Sequence, residues 1–520
     1  MPIVQQGSIN TTALVVPDLY VQIVPPQQTL LNGVPTNVVG VVGTAEWGPV
    51  GVPVICSNMA DYATAFGQII ARKFDMGTQV ATAVQQGANN FRCVRVTDGT
   101  DTKATVEDNP TTPDITFSAK YTGSLGNQIT VSLATGSKAS TWKAVVGIPG
   151  YQPEVFDNIS GTGNAFWVAL ANAINNGTGA LRGPSQIITA AANAGTAAPT
   201  AATYALAAGT DGAATITAAV LVGTDVTPRA GMYCLRSQGC SIGVLADADD
   251  STQWSVQAAF GLAEGIYMIL TGPAGDTIAN AVTVKGTAGI DSYAAKLMFG
   301  DWLYWYDQVN AQIRLVSPQG IAAGRLANLS PEQSSLNKQL FAVIGSQKAG
   351  VVGSGQAHTY SAAELQTLFQ AGIDVITNPA PGGQYWAVRL GHNTSSNEGT
   401  AGDNYTRLTN YIAATEAAGM GIYVGKVVNT TLFQNIRATE LAFLNGMLQQ
   451  GMLGSTDGTL PFSVVCDITN NPQTRTALGY VQADVTVQYQ AINEKFIVNM
   501  QGGQTVVVPQ SAGLQTPGLA

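Results

Sequence analysis

Val38-Val39-Gly40-Val41-Val42-Gly43-Thr44-Ala45, closed by the turn residues Glu46-Trp47-Gly48-Pro49, decides how the rest of this chain is read. The run is apolar at successive rather than alternate positions, so both of its faces need cover, and it reads as a buried strand. Downstream, Ser57 or Asn58 can cap a helix through Tyr62, Ala65 and Phe66 to Gly67. A second helix is expected near 76–86 and a strand at Phe91–Val96. Strand, helices and strand in this order are α/β alternation.

The same texture returns after Asp211-Gly212. Ser241–Leu245 reads as a strand, Asp250 or Ser251 caps a helix through Trp254, Ala258 and Leu262, and Ile266–Leu270 is the next buried strand, stopped by Gly272-Pro273. That spacing suits a right-handed crossover in a parallel sheet. From about 104 to 212 Thr, Gly, Asn and Ala dominate. Gln128–Leu133 alternates, Phe166–Ile174 is the clearest helical signal, and 189–208 is nearly featureless, so the stretch reads as a β-rich insertion. Ser361-Ala362-Ala363-Glu364 is a capping box opening a helix with Leu365, Leu368 and Phe369. A longer helix, from about Leu432 to Gln450, carries Phe433, Ile436, Leu441, Leu444 and Leu448 on one face.

The expected fold is a multidomain α/β (α+β) chain with extended β arms at both ends. Its expected parts are an arm (1–27), the first part of the α/β core (28–103), the insertion (104–212), a middle α/β domain (213–358), a C-terminal domain (359–500) and a tail (501–520). In the first arm Leu19, Val21 and Ile23 alternate with Tyr20, Gln22 and Val24, between Pro17 and Pro25-Pro26. A strand flanked by prolines suits a sheet edge, including the edge of another subunit. Near the other end Val481, Ala483, Val485 and Val487 alternate with polar residues, and Phe496, Ile497 and Val498 lead a further expected strand to Met500. The tail holds Val506-Val507-Val508.

Charged residues are 11 % of the 520, against about 25 % in ordinary soluble proteins. Uncharged polar and short apolar side chains take their place, and these are desolvated against a partner at lower cost than Lys or Glu. The net charge is −9, with no Lys/Arg run that would track phosphates, so no nucleic-acid partner is expected. No stretch is long and apolar enough to span a membrane, and MPIVQQGSINTTALVV lacks the basic and apolar regions of an export signal. Cys56, Cys93, Cys234, Cys240 and Cys466 are odd in number and sparse, and read as free buried thiols.

Chemistry is sparse. Only His358 and His392 are present, neither with a ligand at i+4 nor in a nucleophile motif. Gly421–Lys426 is one residue short of a P-loop and has Val427 where Ser or Thr would hold magnesium. Gly161-Thr162-Gly163 lacks the third glycine of a dinucleotide fingerprint, and Gly209-Thr210-Asp211-Gly212 reads as a turn. Asp247, Asp249 and Asp250 lack EF-hand spacing and suit helix capping. Trp302, Tyr304, Trp305 and Tyr306 suit packing at a junction. No catalytic, metal or cofactor-binding residue is assigned, and no cofactor is expected.

An ordered set of segments resembles the contractile tail sheath family of myophages, pyocin-like particles and related injection machines. It comprises Tyr20–Ile23, Val41–Pro49, Asp61–Gly67, Tyr121–Asn127, Thr227–Tyr233, Asp291–Ala295 with Trp302, Ser317–Gly324, Tyr385–Arg389, Asn404–Arg407, the helix from Phe433, and Glu494–Val498. Ser317-Pro318 stands where the family has Pro-Pro. The resemblance implies a non-enzymatic homo-oligomer that stacks in rings around a tail tube, meets baseplate and terminator proteins, and contracts to drive the tube through a host envelope. It implies a virion tail, assembled in the host cytoplasm. It also implies strand donation between subunits, for which Leu19, Tyr20, Val21, Gln22, Ile23, Val24, Val481, Val485, Val487, Phe496, Ile497 and Val498 are the candidates. The C-terminal domain would face the tube and 104–212 would face outwards. A bacteriocin or secretion sheath, a surface-layer or adhesin subunit, and an α/β enzyme with a β insertion are the alternatives.

Overall fold

The structure is a computed structural model that describes residues 31–179, 182–351, 353 and 358–505. The opening valine run forms β1 (Val39–Gly43), buried at all five positions. β2 (Val54–Cys56), α1 (Met59–Phe66), α2 (Met76–Gln85) and β3 (Phe91–Arg95) follow. Asn58 starts α1 by accepting from the Ala60 and Asp61 N–H groups at 2.8 and 2.9 Å, and Gly67 stops it at φ +86°.

After the insertion come α4 (Ala218–Val222), β11 (Ile242–Leu245), α5 (Trp254–Glu264), β12 (Tyr267–Thr271), α6 (Ile278–Ala288) and β13 (Ala295–Met298). Asp250 caps the turn that leads into α5. The halves join in one sheet of order β13-β12-β11-β1-β3-β2, parallel except for β2. Alternate residues of each strand enter opposite cores. Val39, Val41, Val244 and Ile269 lie in one hydrophobic cluster, and Val42, Leu245, Met268 and Leu270 in the other. That two-sided burial is why the run reads as continuously apolar.

The insertion holds β4 (Thr105–Glu107), β5 (Ile115–Ala119), β6 (Thr130–Thr135), β7 (Trp142–Gly147), β8 (Glu154–Ile159), α3 (Asn164–Asn176), β9 (Ile188–Ala192) and β10 (Ala202–Ala205). They form sheets β10-β6-β7-β8 and β4-β5-β9 around a core of their own. The stretch 189–208, featureless in sequence, thus contributes most of one strand and all of another. Arg95, fully buried, pins both ends of the insertion. Its guanidinium donates to the Gly48 and Thr122 carbonyls at 2.7 Å each and to the Asp211 carbonyl at 3.1 Å.

A second small sheet orders β15-β14-β16-β17, from β14 (Leu303–Asp307), β15 (Gln312–Val316), β16 (Val343–Ser346) and β17 (Gly350–Val351). Between β15 and β16, α7 (Gln319–Ala327) packs on α2 through Gly320 and Gly324. A Cβ on Gly324 would lie 2.5 Å from Ala83 Cα. α8 (Ala362–Gln370) opens on the expected Ser361/Glu364 capping box. β18 (Ile376–Thr377) and β19 (Ala387–Val388) pair behind it.

The C-terminal part holds α9 (Asp403–Gly419), α10 (Thr430–Gln449), β20 (Phe462–Val465), α11 (Gln473–Thr476) and β21 (Asp484–Val487). α9 joins the core through a buried charge cluster. Lys296 Nζ lies 2.6 Å from Asp374 and 3.1 Å from Asp403, all three with side chains 0 % exposed. Asp403 also accepts from the Tyr267 hydroxyl at 2.6 Å and from the Ser335 N–H at 3.1 Å. Burial pulls the Lys296 pKa down, but the two carboxylates outweigh it and the net shift is upward.

Contacts divide the chain after Gln490. Residues 491–505 hold no strand, contrary to the expectation for Phe496–Met500. Phe496, Ile497, Val498 and Met500 are 70–90 % exposed. Pairing groups from a second strand are what a sheet needs, and a short apolar run cannot supply them. Val481 precedes β21 and packs, half-buried, beside Leu432 and Phe433. Leu19–Val24 and Val506–Val508 lie outside the described residues.

Candidate assembly site

In open α/β sheets ligands bind beyond the carboxyl ends of the strands where strand order reverses, which here lies between β1 and β11. The chain's own side chains occupy that position. Asp75 caps α2, accepting from the Thr78 N–H at 2.7 Å, and Asp247 accepts from the Phe74 N–H at 3.1 Å and Gln79 Nε2 at 2.9 Å. Burial pushes Asp75 up to about 7 and Asp247 up to about 6. A cleft of about 310 Å³ remains. Its charges face one another, Lys73 with Asp249 at 2.8 Å, while Arg314 turns to Asp307 at 2.8 Å.

Asp247, Asp249 and Asp250 therefore point to three different partners. Among the described residues no group of three His, Cys, Asp or Glu converges to hold a metal. His358 is exposed, and the His392 carbonyl accepts from Lys296 at 3.1 Å. Gly421 lies in a short 3₁₀ turn, Met420–Tyr423, not between a strand and a helix. Gly212, at φ +62°, makes the expected turn. All five cysteines are free and buried. Trp302 Nε1 donates to the Gly272 carbonyl at 3.0 Å and Trp305 Nε1 to Gln85 at 2.7 Å, so these indoles brace elements within the chain.

The β20–β21 hairpin has a different character. Phe462 and Val464 are buried and Val485 and Val487 half-buried on the face towards Leu408, Phe443 and Leu444, while Ser463, Val465, Asp484 and Thr486 point away. The antiparallel register pairs Phe462 with Val487, Ser463 with Thr486, Val464 with Val485 and Val465 with Asp484. The Gln488 N–H donates to the Pro461 carbonyl at 2.7 Å. Hydrogen-bonded and open pairs alternate along such a ladder, so Ser463/Thr486 and Val465/Asp484 bond inwards. The backbone groups of Phe462 and Val464 then face out along one edge, and those of Val485 and Val487 along the other. Among the described residues no third strand covers either edge.

Two unpaired edges over a packed helical layer accept strands. Of the sequence candidates, Val485 and Val487 lie on one of these edges. Val481 sits just before it, and Phe496, Ile497 and Val498 belong to no strand among the described residues. Phe462 and Val464, on the other edge, went unread because Phe-Ser-Val-Val is only four residues long, although Asp457-Gly458 and Pro461 precede it.

No protein-family model matches the sequence, and no curated protein matches it. Solved structures do match. A sheath tail protein from Desulfitobacterium hafniense is similar at TM-score 0.56 and 16 % identity, over 86 % of this chain and 93 % of that one. A sheath tail protein from Listeria innocua is similar at 0.58 and 14 %, over 84 % and 89 %. The sheath of the extracellular contractile injection system PVC, in its contracted state, is similar at 0.53 and 13 %, over 94 % and 98 %. The chain has the mixed α/β fold of contractile sheath proteins.

Proposed function

We propose that this chain is a structural subunit of a contractile tail sheath, linked to its neighbours by donated strands. The two open edges of the β20–β21 hairpin carry this reading. A chain with β-patterned segments at both ends and a hairpin that, among the described residues, has no partner strand on either side has matching donors and acceptors. Two copies or more complete the sheet; Leu19–Val24 and Phe496–Val498 are the donors. Main-chain hydrogen bonds then hold the lattice, which fits a surface poor in charge. Stacked rings surround a tail tube, and baseplate and terminator proteins close the ends.

Contraction is a collective change between two packings of nearly rigid subunits. Many interfaces, each improving slightly, drive the tube without nucleotide hydrolysis. The subunit is structural and not an enzyme, and the self-occupied end of its parallel sheet supports that. A phage tail is the setting proposed. The likeness to the PVC sheath favours a non-viral injection sheath as the second reading.

Deleting residues 1–24 tests the proposal. The truncated protein is expected to stay folded by circular dichroism and to form no long hollow cylinders by negative-stain microscopy. Polymers of normal length from it would overturn strand donation by the N-terminal arm.

A further inference from the structure

The two strands of the acceptor hairpin are joined by residues 466–483, not by a tight turn. In a short hairpin the turn type sets the register, and a long connection leaves it open. Here a side chain stands in for the missing turn. Asn471, 4 % exposed, accepts from the Gln482 N–H through Oδ1 at 2.6 Å and donates through Nδ2 to the carbonyl of the same residue at 2.8 Å. It thus meets both backbone groups of Gln482, as a neighbouring strand's peptide would. Its own position is held at Asp467, whose carbonyl accepts from the Asn471 N–H and Nδ2 at 3.1 Å each. Asn470 completes the clamp. Its Nδ2 donates to the Val465 carbonyl at 2.8 Å and to Asp484 at 2.9 Å, tying the last residue of β20 to the first of β21.

We infer that Asn471, aided by Asn470, is a positioning residue for strand acceptance: it sets the register and spacing of the two edges before any donated strand arrives. The inference rests on the strand-donation reading above. It assigns a role to residues that touch no donated strand, and it predicts that acceptance and global stability separate. Losing the clamp frees the 466–483 connection and lets the strands slip or splay. The hydrophobic layer beneath, on α9 and α10, stays intact.

The test uses the full-length chain held below the concentration at which it polymerises, with a fluorescein-labelled synthetic peptide of residues 17–26 as the probe. Anisotropy gives peptide affinity, and thermal melting gives the fold. Asn471→Ala is expected to bind the peptide at least tenfold more weakly, with its melting midpoint within a few degrees of the parent. Equal affinity for the parent, Asn471→Ala and Asn470→Ala overturns the inference and leaves strand donation standing. No binding to the parent itself overturns strand donation and the inference with it. Should Asn471→Ala not fold, Asn470→Ala makes the same comparison, because it removes the tie between Val465 and Asp484, with a longer 3.2 Å bond to the Gln482 carbonyl, and leaves both Asn471 bonds to Gln482 in place.

Discussion

Asn404 donates to the Gln490 carbonyl at 3.0 Å, fixing the last residue of the main body on the first turn of α9. Tyr489 reinforces the contact, its ring 5.7 Å from that of Tyr405 and its hydroxyl 3.1 Å from Thr409 Oγ1. The first described residues lie along the same helix. Leu31 covers Gly419, the Val34 N–H donates to Thr415 at 3.2 Å, and Arg407 donates to the Thr36 carbonyl at 3.4 Å. Gln490 and residues 31–36 therefore meet the same helix, near its opposite ends.

Lys296→Met should loosen the seat of that helix. The substitution leaves Asp374 and Asp403 buried without their cation, and breaking a buried ion cluster from one side costs about 3–5 kcal/mol. Urea unfolding followed by circular dichroism measures it. A loss below about 1 kcal/mol would mean that the clamp contributes no more than a surface pair.

Glu440 gives stability a pH dependence. It is 3 % exposed, and burial, helped by Glu416, pushes its carboxyl up to about 7 from an ordinary 4.5. A raised carboxyl holds its proton more tightly when folded. Its contribution is full below the ordinary value and is lost as pH rises through about 7. Glu440→Gln should therefore raise stability at pH 8 by about 1–2 kcal/mol, change little near pH 4.5, and flatten the melting-temperature profile between. Parallel profiles for the two proteins would contradict this.

Proline substitution should separate the outward and inward groups of β21. Val485→Pro removes an N–H that faces the open edge, leaving the hairpin's own ladder whole. It should give a folded protein that does not polymerise. Thr486→Pro removes a donor to Ser463 and should lower the melting midpoint as well. Sedimentation and melting together read both effects; polymers from Val485→Pro at parental yield would exclude that edge.

Gly324→Ala tests the α2–α7 contact. The added methyl meets Ala83 backbone, which cannot rotate away, so overpacking should cost about 1–3 kcal/mol. Chemical denaturation is the readout, and a neutral substitution would show that the helices part without strain.

Local signals were legible where the cause is local. The valine run, the Asn58 cap, the Ser361/Glu364 box and the apolar face of α10 all depend on neighbours a few residues away. β9 and β10 were missed because alanine and threonine carry little period-two contrast; pairing of β9 with β5 and of β10 with β6 makes them strands. Nothing in the sequence marks Lys296, because its partners lie 78 and 107 residues on. Asn471 is unmarked as well, because its role depends on the backbone of Gln482, 11 residues on, returning to it across a loop. Phe496–Met500 is apolar and β-prone, but among the described residues no strand pairs with it.

If strand donation joins neighbours through both ends of every chain, as proposed, tension between them crosses each subunit along α9, a path of about 25 Å at 1.5 Å per residue for its 17 residues. That path leaves out the module at 104–212, which is held to the core by Arg95 and its carbonyls, by the Arg72–Asp211 ion pair and by the Tyr151 hydroxyl on the Ala63 carbonyl. Under that reading the module can change in size or sequence without altering how one subunit pulls on the next.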